Sequence, residues 1–158
     1  MALGCVLFYF SACSPSNSWE ESYRIDTKTG WIYTDTAHFA FDIADTAALY
    51  KLWVELRHNT EYPYANLWIK INTTYPSGEM ASQQLDIPLA DADGKWLGDG
   101  LGSVLQRNLL IQNRAKLPQE GTYTFDIVPY LRENPIPHIL DIGLRLEKMT
   151  ASESEVAQ

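Results

Sequence analysis

Cysteine is confined to the start of the chain, and positive charge is scarce throughout it. The sequence has 158 residues and only two cysteines, Cys5 and Cys13, so its body can form neither a disulfide framework nor a cysteine zinc site. The chain has 12 Lys and Arg residues and 20 Asp and Glu residues, which gives a formal net charge of −8. Because nucleic acids and anionic lipid surfaces bind basic surfaces, we expect no nucleic-acid partner.

Long hydrophobic runs are also missing after the first residues. No later stretch reaches the ~18 apolar residues that a membrane-spanning helix needs. The hydrophobic fraction of 46% and the charged fraction of 20% are nevertheless close to ordinary globular usage. The length and composition therefore predict one domain that folds around one core without disulfides.

Catalytic and metal-binding signatures are absent as well. There is no Gly-x-Ser-x-Gly, Ser-x-x-Lys, His-Glu-x-x-His or phosphate-loop motif, and no close pair among His38, His58 and His138 has a zinc spacing. Asp91 begins a segment similar to a calcium loop, but Lys95 stands where an oxygen ligand is needed, which favours a turn. We predict no catalytic residue, metal or cofactor, and therefore no enzyme. The weaker alternative is a hydrolase that uses His58 or His138 with nearby carboxylates.

The first residues have the features of an export signal. Residues 2–10 are wholly apolar, which matches the hydrophobic part of a signal peptide and is too short to span a membrane. Small residues then precede Cys13, the arrangement that a bacterial lipoprotein signal peptidase accepts before the cysteine is acylated. We predict a signal peptide over residues 1–12 and a lipidated, flexible tether over residues 13–22. The alternative is a buried first strand, because the segment is rich in β-branched and aromatic residues.

Alternation of apolar and polar residues predicts β-strands along the body of the chain. The period is clearest where Leu140, Ile142, Leu144 and Leu146 alternate with polar residues. It marks residues 38–43, 52–57, 66–72, 83–89, 121–127 and 140–147, and less regularly 23–25, whereas 103–113 and 128–133 have weak helical character. We predict an all-β, single-domain antiparallel β-sandwich of jelly-roll type over residues 23–149, followed by a disordered tail over residues 150–158.

Two tryptophans fall on the outward phase of predicted strands. Trp53 and Trp68 alternate with inward-facing aliphatic residues. If the two strands pair as a hairpin through residues 62–64, the indoles lie on one face and could stack on a glycan or contact a protein. In the other interpretation, the amino-terminal segment or a long loop covers this face. A glycan-binding module of the cell envelope is therefore the alternative function.

Several motifs, taken together, resemble a known family. Behind Cys13 they are Phe-Ala-Phe-Asp-Ile-Ala-Asp over 39–45, Leu-Arg-His-Asn-Thr-Glu-Tyr-Pro-Tyr-Ala-Asn-Leu over 56–67, Asp-Ala-Asp-Gly-Lys-Trp-Leu-Gly-Asp-Gly over 91–100, Gly-Thr-Tyr-Thr-Phe over 121–125, Tyr-Leu-Arg over 130–132 and Ile-Leu-Asp-Ile-Gly-Leu-Arg-Leu-Glu over 139–147. On these motifs the chain resembles the GldH-type gliding motility lipoproteins of Bacteroidota. The segments around Arg57 and Lys95 are the most specific. Leu131 departs from the pattern, in which Met precedes the Arg.

The resemblance implies a lipoprotein of the cell envelope that faces the periplasm and serves the gliding machinery. It implies other gliding-machinery or envelope proteins as partners, membrane contact through the lipid anchor, and neither enzymatic activity nor a cofactor. Motif residues lie in or beside loops, where binding residues concentrate. With the outward tryptophans they form a predicted binding surface: Trp53, Trp68, Arg57, Tyr62, Tyr64, Lys95 and Trp96. The other interpretation is that the motif residues only fix the loops.

Overall fold

Nine β-strands are found in residues 18–150 and 152–153, the part of the chain that the computed structural model describes. They are β1 (Ser18–Arg24), β2 (Ala37–Ile43), β3 (Leu49–Asn59), β4 (Asn66–Thr74), β5 (Met80–Pro88), β6 (Asp99–Leu101), β7 (Val104–Lys116), β8 (Gly121–Pro129) and β9 (Ile139–Lys148). The predicted signal peptide and Cys13 lie outside the described residues.

The strands form two antiparallel sheets. One has five strands in the order β1-β9-β3-β7-β6, and the other has four in the order β2-β8-β4-β5. Buried side chains from both sheets form one hydrophobic core between them. The predicted all-β, antiparallel sandwich is therefore confirmed.

The alternating pattern placed the core correctly on the two central strands. Leu52, Val54 and Leu56 of β3 are buried, and so are the three aliphatic residues that alternate along β4. Burial of each such side chain contributes about 1.5–3 kcal/mol, so this alternation fixes which face of each strand meets the other sheet. Pro88 lies at the end of β5, which is an edge strand, as its missing N–H predicts.

The helical interpretation of residues 103–113 is wrong, because this segment belongs to the 13-residue strand β7. Leu105, Leu109 and Ile111 do alternate along one face, but Arg107 occupies the position between them and hides the period. Arg107 is tolerated there because its Nε reaches across the sandwich and donates to the Pro88 carbonyl oxygen at 3.2 Å. Register irregularities opposite Tyr50–Trp53 disturb the alternation further.

Two further expectations fail at the ends of strands. Leu140 was expected to face the core, but Ile139 is buried in its place, because the register between β3 and β9 shifts after Arg57. Residues 18–22 were expected to belong to a flexible tether, yet they form most of β1 and pair with β9. Of the predicted tail, the structure describes Thr150, Ser152 and Glu153, and Glu153 forms an ion pair with Lys51.

The hairpin that would place Trp53 beside Trp68 does not form. Their strands, β3 and β4, belong to different sheets, because residues 60–65 carry the chain from one sheet to the other. Both indoles point away from the core, and therefore to opposite outer faces of the sandwich. The hypothesis of a two-tryptophan platform for a glycan is wrong for this reason.

Candidate functional site

Three loops meet at the end of the sandwich where β3 finishes, and a stack of aromatic rings fills this end. His58 is fully buried, with its ring centroid 4.9 Å from that of Trp96 and 6.0 Å from that of Tyr62. Its Nδ1 lies 3.0 Å from the carbonyl oxygen of Asn59, so Nδ1 carries the proton that it donates. Burial lowers the pKa of His58, which keeps the ring neutral.

The stack continues to the surface through two tyrosines that differ in burial. Tyr62 is only 3% exposed, and its hydroxyl donates to the carbonyl oxygen of Asn66 at 3.0 Å. Burial raises the pKa of Tyr62 far above its ordinary value. Tyr64 packs edge-on against Tyr62, is 40% exposed and donates to Glu133 at 2.6 Å. This hydrogen bond to a carboxylate raises the pKa of Tyr64.

Lys95 and Trp96 follow a tight turn, and the turn explains the acidic residues before them. The Oδ1 of Asp91 accepts the backbone N–H groups of Asp93 at 3.0 Å and Lys95 at 2.9 Å. Gly94 adopts a φ of 80°, which favours glycine. Asp91 thus stabilises a turn, as the sequence favoured. Trp96 is half-buried against the core, whereas Lys95 is exposed.

Trp53 and Arg57 lie elsewhere, on the outer face of the five-stranded sheet. The guanidinium of Arg145 lies 4.7 Å from the centroid of the Trp53 ring, which is half-buried beneath it. Arg57 forms an ion pair with Asp141 at 3.3 Å. Burial raises the pKa of Asp141 more than the neighbouring cations lower it. This face is therefore occupied by its own ion pairs, and its tryptophan is not available as an open stacking platform.

Trp68 lies on the outer face of the four-stranded sheet, beside a cleft of about 410 Å³. Trp68 is 38% exposed. Its backbone carbonyl oxygen accepts the backbone N–H of Tyr130 at 2.9 Å. Tyr130 is 49% exposed, and Arg132 and Gln84 complete the cleft with Leu131. An exposed indole and phenol next to a guanidinium and an amide can both stack and donate hydrogen bonds.

Three exposed aromatic residues, Tyr33, Tyr64 and Trp68, contact the loop of residues 130–134, and a fourth, Tyr130, belongs to it. Tyr33 holds this loop by donating its hydroxyl to Leu131 O and by its N–H, which donates to Asn134 Oδ1 at 3.1 Å. Tyr64 holds it through Glu133, and Trp68 through Tyr130. We call this group, Tyr33, Tyr64, Trp68 and Tyr130, the aromatic rim. The hydroxyls of Tyr33 and Tyr64 take part in these hydrogen bonds, whereas Trp68 and Tyr130 are joined through their backbones.

The predicted binding residues therefore divide into three places. Tyr62, Tyr64, Lys95 and Trp96 lie at the loop end of the sandwich, Trp53 and Arg57 lie on one outer face, and Trp68 lies on the other. Sequence reasoning missed Tyr33 and Tyr130. The signal available for Tyr130 was its place in the Tyr-Leu-Arg motif. Nothing in the residues around Tyr33, almost a hundred positions away, indicates that it holds the same loop.

The described residues offer little for metal or acid–base chemistry. Among them, no group of three or more His, Cys, Asp and Glu side chains could hold a metal ion. In residues 18–150 and 152–153, no helix is both long enough and apolar enough to cross a membrane. His58 is enclosed, and the Nδ1 of His138 lies 3.6 Å from the exposed carboxylate of Glu61.

The family model and the relatives that match this chain agree on one family. The family model for the GldH lipoprotein matches residues 18–146. A protein of Christiangramia forsetii named gliding motility lipoprotein GldH homolog is 28% identical, with 90% of each chain covered. The gliding motility lipoprotein GldH of Flavobacterium johnsoniae is 24% identical, with 94% of each chain covered. Among solved structures, Aeromonas hydrophila PliG, a periplasmic inhibitor of g-type lysozyme, is 13% identical, with 90% and 93% covered and a TM-score of 0.38. That likeness is too slight to carry an argument.

Proposed function

The chain belongs to the GldH lipoprotein family, and on that premise we propose that it is a lipid-anchored, non-catalytic component of bacterial gliding machinery. The observation that carries the proposal is the family match over residues 18–146, which extends from the first residue of β1 into β9. Two relatives that carry the gliding motility lipoprotein name align along nine-tenths or more of the chain.

Acylation of Cys13 would hold the sandwich close to a membrane, facing the periplasm. An apolar run and small residues precede this cysteine, as a lipoprotein signal requires. Because β1 begins at Ser18, even a fully extended connection would let the sandwich stand off by only about 17 Å. The formal charge of −8 gives the folded part no affinity of its own for anionic lipid, so the acyl chains would supply the attachment.

A role through contacts, without catalysis, is supported by the state of the two histidines that a hydrolase would use. His58 is fully buried, and burial lowers its pKa, so it neither meets a substrate nor carries charge near neutral pH. His138 has an exposed glutamate beside it but belongs to no larger group of such side chains among the described residues. The hydrolase alternative has no observation in its favour.

The aromatic rim is the surface through which we expect other gliding-machinery or envelope proteins to be contacted. Tyr and Trp are enriched among residues that dominate binding energy. The side chains of Tyr33 and Tyr64 are already held by hydrogen bonds, so they would lose little entropy on binding. Each member of the rim is between 38% and 49% exposed. Among the described residues, no cation lies over the Trp68 ring as the guanidinium of Arg145 lies over the ring of Trp53.

Complementation in Flavobacterium johnsoniae tests the proposal. In a strain that lacks its own GldH, we expect this chain to restore spreading on agar and the Cys13→Ala variant to fail. The double variant Trp68→Ala and Tyr130→Ala should remain in the membrane fraction but restore little spreading, whereas Lys28→Ala, an exposed substitution, should behave as the unmodified chain. Full spreading with Cys13→Ala would contradict the anchored role. No spreading with the unmodified chain, despite normal amounts in the membrane, would contradict the gliding role.

A further inference from the structure

Strand β5 has one side of its backbone unpaired within the described part of the chain. It is the outer strand of its sheet and pairs with β4 along all nine residues without a register shift. At one end Leu89 N–H donates to Ala65 O at 2.8 Å, and at the other end Tyr75 N–H donates to Glu79 O at 2.9 Å. Since hydrogen-bonded pairs alternate in an antiparallel ladder, the odd-numbered residues of β5 bond to β4.

The even-numbered residues of β5 therefore point their backbone N–H and C=O groups away from the sheet. These residues are Met80, Ser82, Gln84 and Asp86, and Pro88, which has no N–H to offer, ends the series. Natural edge strands are commonly protected by Lys, by Pro or by a bulge. Residues 80–85 have none of these and no charge of either sign. This stretch is a regular, uncharged template for one more strand.

A groove of about 560 Å³ runs along this edge, between β5 and the last part of β7. Its floor includes three core residues, Leu52, Phe125 and Leu146, each only 4–5% exposed. Ala81 and Gln83, which face inward from β5, form one wall. The hydrogen bond between Arg107 and Pro88 O joins the two sheets near the far end of β5. An added strand would thus direct every second side chain into a groove that has an apolar floor and partly polar walls.

Charge distinguishes among the strands that could fill this place. β7 carries three basic residues and no acidic residue, although the whole chain has a formal charge of −8. Arg114 and Lys116 both line the groove. A second copy of the chain would bring a net charge of −8 to the contact, which repels, whereas a local acidic segment would be attracted to the basic wall.

We propose that β5 accepts an added β-strand from a different protein. The partner supplies an extended segment whose backbone pairs with residues 80–86 and whose alternate side chains are apolar and enter the groove. An Asp or Glu of the segment lies beside Lys116. In strand addition of this kind the backbone hydrogen bonds supply affinity and the groove supplies sequence preference. Gln84 lines both this edge and the cleft beside Trp68, so a bound segment would also border the aromatic rim.

Two substitutions at Ser82 separate the backbone contact from the side chain. Ser82→Pro and Ser82→Ala both remove the hydroxyl that donates to Asn72 at 2.9 Å, but only proline also removes the outward N–H. Proline with its missing N–H toward solvent is tolerated in edge strands. Gln84→Pro and Gln84→Ala form a second pair, and thermal melts of all four identify any variant that fails to fold.

The probe is a phage-displayed library of short segments with Val, Ile or Leu at alternate positions and random residues between them, selected on the full chain. We expect enriched segments to carry Asp or Glu. Their Kd should rise about fivefold in a folded proline variant, since one backbone hydrogen bond is worth about 1 kcal/mol, and stay within about twofold in the matched alanine variant. Lys116→Glu should weaken the acidic segments. Amide exchange should be fast at Ser82 and Gln84 in the free chain and slow in the complex.

Three results would overturn the proposal. One is that the library yields no binder, or that its binders bind the proline and alanine variants equally well. Another is slow exchange at Ser82 and Gln84 without any added segment, which would mean that the chain covers its own edge. The third is a dimer in sedimentation that Ser82→Pro abolishes, which would make a second copy the occupant.

Discussion

Arg145 lies over Trp53, with its guanidinium carbon 4.7 Å from the ring centroid, while its Nε donates to Glu55 at 2.8 Å. Both contacts come from neighbouring strands, because Trp53 pairs directly with Arg145 across β3 and β9. The tryptophan is therefore part of the sheet's outer layer rather than an open binding residue. A flat aromatic on the outward phase of a strand does not by itself predict a ligand.

The Arg145–Trp53 contact should be measurable as a coupling in stability. We expect Arg145→Ala to lower the free energy of unfolding by about 2 kcal/mol, because it also leaves the half-buried Glu55 without its hydrogen-bonded cation. A double-mutant cycle with Trp53→Leu, followed by urea denaturation, should give a coupling of about 0.5–2 kcal/mol. Strictly additive effects would show that the ring and the cation are energetically independent.

Stability should fall in mild acid because of His58. Burial lowers the folded-state pKa of His58 below its ordinary value of 6.5, so below that pH the unfolded chain binds the proton more readily than the folded protein. This contribution to stability is therefore complete above about pH 6.5 and declines as the pH falls through the lowered pKa. The measurement is the free energy of unfolding at several pH values from about 7 to about 5.

Two variants of the same aromatic stack control that experiment. His58→Phe keeps a ring against Trp96 but cannot titrate, so we expect a flatter dependence of stability on pH. Tyr62→Phe should lower stability at every pH while keeping the slope of the unmodified chain, since its hydroxyl stays protonated throughout this range. An unchanged slope in His58→Phe would mean that other groups cause the acid sensitivity.

The two stacked tyrosines should differ in the worth of their hydroxyls. Tyr62→Phe removes a buried hydrogen bond to Asn66 O, which should cost about 1 kcal/mol. Tyr64→Phe removes an exposed bond to Glu133 and should change stability by less than about 0.5 kcal/mol. Chemical denaturation of both variants is the measurement. Equal losses would contradict the distinction between a hydroxyl that supports the fold and one that borders the surface.

Two glycines with positive φ should respond differently to alanine. Gly78 has a φ of 85° with nothing within 4 Å of an added Cβ, so Gly78→Ala should cost only the backbone strain of about 1–2 kcal/mol. Gly30 has a φ of 72°, and its Cβ would lie 2.7 Å from Ile136 O, which accepts the N–H of Trp31. Gly30→Ala should therefore cost clearly more, about 3 kcal/mol or above, in thermal or urea unfolding. Equal costs would show that the Trp31–Ile136 bridge can move aside.

The parts of the fold that follow a strict two-residue period could be predicted from the sequence. Leu67, Ile69 and Ile71 are buried because the pleat alone decides which side of a strand faces the core. The period fails where long-range contacts change the local pattern. Arg107 can occupy an inward position only because a carbonyl of the other sheet accepts its hydrogen bond. The register shift that buries Ile139 in place of Leu140 depends on pairing with β3.

The candidate site was harder to predict, because its members come from distant parts of the chain. Tyr33 and Tyr64 hold the same loop, and nothing local in either segment indicates this. The choice of sheet for β3 and β4 decided where Trp53 and Trp68 lie. A short loop between two strands is compatible with a hairpin or with a crossing between sheets, and only packing of the whole core selects the crossing.

The most direct test of the central claim is the chemical state of Cys13 in this chain after it has been expressed in Flavobacterium johnsoniae and purified from the membranes. Intact mass spectrometry should find a chain that begins at Cys13 and carries a thioether-linked lipid, and Cys13→Ala should leave the protein unprocessed and free of acyl chains. A membrane-extracted protein that keeps residues 1–12 and an unmodified thiol at Cys13 would contradict the account.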